Sequence, residues 1–169
     1  MRTTVFKYLG VLLGSFSITM LPPLAVSWIV NDGQLRPFAF AFCLTLGLGI
    51  LLWWPLRNTK AELRFRDGFL IVVLFWTELS VMGALPLLLL ESPSLSWVDA
   101  LFESMSGLTT TGATILTNID ELPSGILYYR QQLQWLGGLG IVVLAVAIMP
   151  MLRIGGMQLY RAETPGPMI

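Results

Sequence analysis

Four long apolar stretches divide the chain, and a polar segment poor in side-chain bulk lies between the third and the fourth. The first three cover residues 8–30, 37–56 and 68–90, each meeting the length of roughly 20 residues that a membrane-spanning helix needs. The fourth, 129–150, nearly does; it begins with Arg130, Gln131, Gln132 and Gln134 and carries Gly137, Gly138 and Gly140. Pro22-Pro23 predicts a kink or an end to regular helix inside the first stretch. Pro37 opens the second at a tolerated first-turn position. Arg2 and Lys7 precede the first stretch as in a signal peptide. The apolar run is longer than a signal core and no A-x-A-like site follows, so a spanning helix is expected.

Between the third and fourth stretches, Ser96 and Asp99 form a capping-box pattern that predicts a helix from about Trp97. Leu101, Met105 and Leu108 recur at helical spacing and predict an apolar stripe about three turns long. Gly107 is placed to stop this helix in the left-handed conformation. The polar run TTTGAT follows at 109–114. Composition alone favours an ordinary loop outside the membrane. The order of cap, short amphipathic helix, glycine and TTTGAT favours instead a segment that enters from one side, stops midway and returns. Irregular backbone at membrane depth survives only against protein or a water-filled cavity. A glycine flanked by threonines there suits a cation filter built from backbone carbonyls, and the carbonyl end of the short helix would favour a cation beside it.

Charge then orients the chain. If the four stretches alternate, Arg2, Lys7, Arg57, Lys60, Arg64, Arg66, Arg153 and Arg161 fall on one side, and only Arg36 and Arg130 on the other. The positive-inside rule predicts cytoplasmic termini and a cytoplasmic 57–67 loop. Asp32, Glu91, Asp99, Asp120 and Glu121 collect outside, where they would concentrate cations.

Composition agrees with a membrane protein: 55% hydrophobic residues, 12% charged, and ten basic balanced by ten acidic residues. Zero net charge argues against nucleic-acid binding. With one cysteine, Cys43, and no histidine, an intrachain disulfide is impossible and zinc or haem sites of the usual kind are disfavoured. No nucleophile–base pair is available, so an enzyme is not expected. Neither a GxGxxG fingerprint nor a preceding strand supports nucleotide binding. Gly137, Gly138 and Gly140 read as helix-packing positions, and Gly10 with Gly14 as a weak GxxxG dimerisation motif. Glu78 is an ionisable residue at membrane depth, read as structural before functional. Glu103 and Arg130 are candidates for a pair joining the short helix to the fourth stretch.

The run from Phe102 to Thr114 (FESMSGLTTTGAT), then Tyr129-Arg130-Gln131 and residues 134–141 (QWLGGLGI), resembles the membrane subunit of bacterial Trk potassium-uptake systems, the TrkH family. The likeness continues through Met149-Pro150, Gly155-Gly156 and residues 161–167 (RAETPGP). It implies an all-α membrane protein of potassium-channel-like fold. Two introductory transmembrane helices would occupy 1–66. One helix–pore-loop–helix repeat would occupy 67–160, with its pore helix at about 97–107 and its filter at 109–114, and a cytoplasmic tail would occupy 161–169.

By position, the resemblance makes Thr110, Thr111 and Gly112 the carbonyl ligands of potassium, flanked by Thr109 and Ala113. Glycine is the potassium-type choice at that place; related plant transporters with serine there tend toward sodium. Potassium is thus the transported ion, and no other cofactor is implied. The implied partners are three further repeats, a cytoplasmic nucleotide-binding Trk regulator and a second copy of the full-length protein, all at the bacterial inner membrane. Family members carry four repeats in one polypeptide, so the chain is expected to be an amino-terminal part supplying one of four filter loops and not conducting alone. A small membrane adaptor without transport activity is the alternative. The residues leave open a channel or a symporter coupled to protons or sodium.

Overall fold

Proline placement divides the first apolar stretch in two. Helix α1 (Arg2–Ile18) ends in a tight turn at Thr19 and Met20, and α2 (Leu21–Val30) begins with Pro22 and Pro23 inside its first turn. Neither proline has an N–H to donate back, so the carbonyls of Ile18 and Thr19 lose their helical partners. The side chain of Gln132 donates to the Thr19 carbonyl at 2.7 Å and replaces one of them. This computed structural model describes residues 2–58 and 65–151, with side chains over 4–58 and 67–143. The basic side chains of Lys60, Arg64, Arg66, Arg153 and Arg161, most of the 57–67 loop, Gly155-Gly156 and the 161–169 tail lie outside the described residues.

The chain returns along α3 (Leu35–Trp53), which tightens into a 3-10 turn over Trp54–Leu56. Lys7 donates to the Arg57 carbonyl at 2.8 Å, and the Arg57 guanidinium stacks 4.4 Å from the Trp54 ring centre. The start of α1 and the end of α3 therefore share one end of the bundle, as charge segregation predicts. The two helices meet through glycine. A Cβ on Gly10 would lie 2.8 Å from the Gly49 carbonyl oxygen, and one on Gly49 would lie 2.7 Å from the Gly14 nitrogen. The Gly10–Gly14 motif is thus filled within the chain, where close backbone approach replaces the dimer contact its pattern suggested.

The third stretch forms α4 (Phe65–Gly83), broken at Ala84 before the one-turn α5 (Leu85–Leu88). Tyr129 donates to the Gly83 carbonyl at this break, at 2.8 Å. The short helix α6 (Trp97–Leu108) carries the expected capping box, with Asp99 N–H donating to Ser96 Oγ and Ser96 N–H to the Asp99 carboxylate.

The last helix, α7 (Ser124–Met151), begins five residues before the expected 129. The reason is distant in sequence. Asp32, 93 residues earlier, accepts a 2.7 Å hydrogen bond from Gly125 N–H and so caps the first turn of α7. A carboxylate there also complements the positive end of the helix dipole. The core runs through the meeting point of these elements: Met20, Phe38, Leu87, Leu108, Ile126, Tyr129 and Leu133 are all buried. Phe38 and Tyr129 meet edge to face at 5.4 Å.

Three stretches, Thr4–Val30, Leu35–Leu56 and Asp67–Leu88, are long and apolar enough to cross a membrane. Helix α7 is less apolar at its start, yet its 28 residues span about 42 Å, more than the roughly 30 Å hydrocarbon core.

Two outcomes are expected from this packing. Gly137 meets the end of α6: a Cβ there would lie 1.9 Å from the Leu108 carbonyl oxygen, whereas one on Gly138 has nothing nearer than 4.0 Å. Gly137→Ala should destabilise the bundle by about 1–3 kcal/mol or more, as overpacking does. Gly138→Ala should be close to neutral, both read as thermal unfolding in detergent.

The second outcome is a pH dependence. Burial pushes the Asp32 carboxyl up, but hydrogen bonds from Ser27, Gly125 and Gln34 outweigh it and hold the group below its ordinary 3.8. A depressed carboxylate stabilises the fold above its unfolded value, and that contribution is lost as pH falls through the folded one. Asp32→Asn should therefore be less stable than the parent at neutral pH, with the gap closing as pH drops below 3.8 in thermal melts.

Candidate functional site: the return strand after the short helix

Helix α6 does not cross the bundle. Its last residue, Leu108, abuts Gly137, thirteen residues beyond the start of α7 and about 20 Å along that helix at 1.5 Å per residue. The chain then turns back. Ser92 and Pro93, before α6, share one cleft with Thr117, Asn118, Glu121 and Leu122, after the return strand. Both flanks of the segment therefore lie at one end of the molecule, the end where Asp32 caps α7.

Gly107 does not make the turn. It stays helical, because it lets α7 approach: a Cβ there would lie 3.1 Å from Leu133 Cβ. The left-handed turn falls three residues later, on Thr110 (φ +56°) and again on Gly112 (φ +73°). A β-branched residue at positive φ is rare and strained, and such strain persists only where surrounding bonds over-determine it. Here they are visible. Thr110 N–H donates to the Gly107 carbonyl at 2.9 Å, and the N–H groups of Thr111 and Gly112 both point to the Ser106 carbonyl, at 3.0 and 3.4 Å. Thr109 Oγ1 donates to the Met105 carbonyl at 2.8 Å and lies 2.8 Å from Thr111 Oγ1. Ser106 Oγ donates to the Ala113 carbonyl at 2.6 Å.

The consequence for 110–112 is one-sided. Their N–H groups are tied inward, while their carbonyls accept no hydrogen bond among the described residues. Residues 109–115 are all exposed. Free carbonyls on a strand held from behind can coordinate a cation, with no fixed charge required.

Glu103 and Arg130 hold the far end of the strand. Their side chains pair at 3.0 Å, and the Glu103 side chain is 1% exposed. Glu103 Oε1 also accepts from Thr114 Oγ1 at 2.6 Å and from Ile115 N–H at 2.7 Å, and Arg130 donates to Thr114 Oγ1 at 3.0 Å. The pair thus links helix α6, the return strand and α7. Glu78 takes no part: it makes no hydrogen bond among the described residues, and its Oε2 is buried without a partner.

The expected apolar stripe on α6 is only partly buried. Leu108 is fully covered and Leu101 partly, but Met105 is half exposed. The covered face consists instead of Ala100, Glu103, Ser104 and Gly107, small or polar groups that let α6 pack closely on α4 and α7. Ser106 lies in the run that carries the family resemblance, but the sequence does not show its role, which is to hold the strand with both its hydroxyl and its carbonyl.

A family model described as TrkH, cation transport protein, matches residues 35–169. The Trk system potassium uptake protein TrkH of Escherichia coli (strain K12) is 57% identical over 164 residues, covering 97% of this chain and 34% of that protein. TrkG of the same strain is 44% identical over 158 residues, covering 94% of this chain and 33% of that protein. The crystal structure of the potassium transporter TrkH from Vibrio parahaemolyticus matches with a TM-score of 0.86 and 53% identity, over 93% of this chain and 34% of that one. The chain therefore spans about a third of the length of these relatives. Its fold is that of a potassium transporter's matching third, and the chain belongs to the TrkH family of cation transport proteins.

Proposed function

We propose that this chain contributes to potassium uptake across the bacterial inner membrane by supplying one of four carbonyl loops that ring the ion. The single observation that carries this is the return strand. Thr110, Thr111 and Gly112 keep their carbonyls free while Ser106 and Glu103 fix the strand from behind. Thr109 and Ala113 flank these ligands and set their spacing through the bonds to Met105 and Ser106. Potassium is the substrate, held by replacing its water shell with such oxygens. One strand supplies a quarter of that shell, so three further loops must complete it; relatives about three times as long have room for them.

In this reading α1 to α3, within 1–66, are the introductory helices, and 67–160 is one helix–pore-loop–helix repeat, with 161–169 as tail. The termini and the 57–67 loop are cytoplasmic, and the mouth near Asp32, Asp99 and Asp120 faces outward. A cytoplasmic nucleotide-binding regulator and a second copy of the full-length protein are the partners that go with this role.

Selectivity tests the assignment. Gly112 has φ +73°, so any side chain there strains the strand, although a Cβ would meet only the Gln134 amide, at an ordinary 3.7 Å. In a full-length transporter carrying residues 1–169 as its amino-terminal third, Gly112→Ser should lower the ratio of potassium to sodium uptake about tenfold, the scale of about 1.4 kcal/mol of lost discrimination. Uptake in transport-deficient cells measures it, and an unchanged ratio would place the filter elsewhere.

Topology gives a second test. Cysteines introduced at Ser92 and Asp120 should both react with an impermeant thiol reagent from outside, and one introduced at Asn58 only from the cytoplasm. Labelling of position 120 from the cytoplasm alone would mean that the strand crosses.

A further inference from the structure

Behind the return strand lies a partly open recess too small for an ion with any of its water, but large enough for one water molecule. Its volume is about 20 Å³, and Glu103, Ser106, Gly107, Ala113, Arg130, Gln131 and Gln134 line it. Five of these seven carry polar side chains. A buried water needs roughly 10–15 Å³ and two to four polar partners, and this space meets both conditions. The groups around it are unevenly engaged. Both oxygens of Glu103 are already taken, by Thr114, Ile115 and Arg130, and the Ser106 hydroxyl donates to Ala113 but can still accept. The Gln134 amide makes no hydrogen bond among the described residues, although it sits directly behind the turn: a Cβ on Gly112 would lie 3.7 Å from Gln134 Nε2. The charges of Glu103 and Arg130 cancel, so the space favours a neutral dipole over a cation or an anion.

We infer that this pocket binds one water molecule that links the Gln134 amide to Ser106, and that Gln134 is thereby a positioning residue for the Gly112 turn. The inference rests on the reading of 110–112 as ion ligands. The turn at Thr110 and Gly112 is strained, and Gly112 N–H makes only a long 3.4 Å bond to Ser106. Of the bonds that hold the strand from behind, the one at Gly112 is therefore the weakest. A water on Ser106 and Gln134 provides support there while leaving the carbonyls of 110–112 free for potassium. It stiffens the strand, and a stiff strand discriminates between ions of unlike size better than a soft one.

The test compares Gln134→Met, which keeps length and volume but removes the amide, with Gly112→Ser, in a full-length transporter carrying this segment. Gln134→Met should lower the potassium-to-sodium uptake ratio about fivefold, the scale of one lost hydrogen bond. Gln134→Glu, which keeps an oxygen at the same place, should stay within about twofold of the parent. A purely structural role for Gln134 would reduce the amount in the membrane and the uptake of both ions together, with the ratio unmoved. If Gly112→Ser changes the ratio and Gln134→Met does not, the water-linked support is overturned and the filter assignment stands. If neither changes it, both fall. Should Gln134→Met fail to reach the membrane, a density map of the parent transporter that resolves waters decides. A peak within hydrogen-bond distance of both the Gln134 amide and Ser106 Oγ is required, and its absence from such a map overturns the proposal.

Discussion

The pair between the buried Glu103 and the partly covered Arg130 is the constraint on which the rest of the site depends. Taking two charges out of water is costly, and the cost is met only where geometry is good and the remaining lone pairs find donors. Here the carboxylate is almost wholly covered and its second oxygen accepts from Thr114 and Ile115. The arrangement therefore does more than hold two helices together. It fixes where the return strand must leave the site, and Ser106 fixes where it enters. Between those anchors only Thr110 to Gly112 remain, and their backbone has little choice but the strained turn observed.

The helices around this site approach one another by removing side chains rather than adding them. Gly10, Gly14 and Gly49 bring α1 against α3, and Gly137 admits the end of α6. In lipid there is no hydrophobic gain from burying one apolar helix against another, so packing contact and satisfied polar groups supply the association. The polar residues of α7 fit the same logic. Gln132 answers the Thr19 carbonyl that Pro23 leaves open, Tyr129 answers Gly83 at the second helix break, and Arg130 answers Glu103. What reads in sequence as a weakly apolar span is a helix whose polar side chains close the defects of its neighbours.

Local signals were legible and distant ones were not. The capping box at Ser96 and Asp99 and the break at Pro22-Pro23 each depend on residues within a few places of one another, and each could be read directly. The Glu103–Arg130 pair could be named as a candidate, since both groups are too polar for their surroundings. The start of α7 at Ser124 carries no local signal because its cap comes from Asp32, and the GxxxG motif, weak as a dimerisation signal, meets its partner glycine on α3. Gly107 was assigned the turn because glycine is the usual residue at positive φ. The structure spends that glycine on contact with Leu133 and leaves the turn to a threonine, a choice dictated by tertiary packing.

Two of the bonds that join the first helices to the last run in a consistent direction along the chain. Thr19 and Asp32 are synthesised long before Gln132 and Gly125, their partners across 113 and 93 residues. Domains fold in order of emergence, amino-terminal part first, and a backbone carbonyl without a partner in hydrocarbon costs several kcal/mol. The Thr19 carbonyl thus needs a partner from outside its own helix, and one particular residue of α7 supplies it. The defect at Thr19 acts as an address for α7.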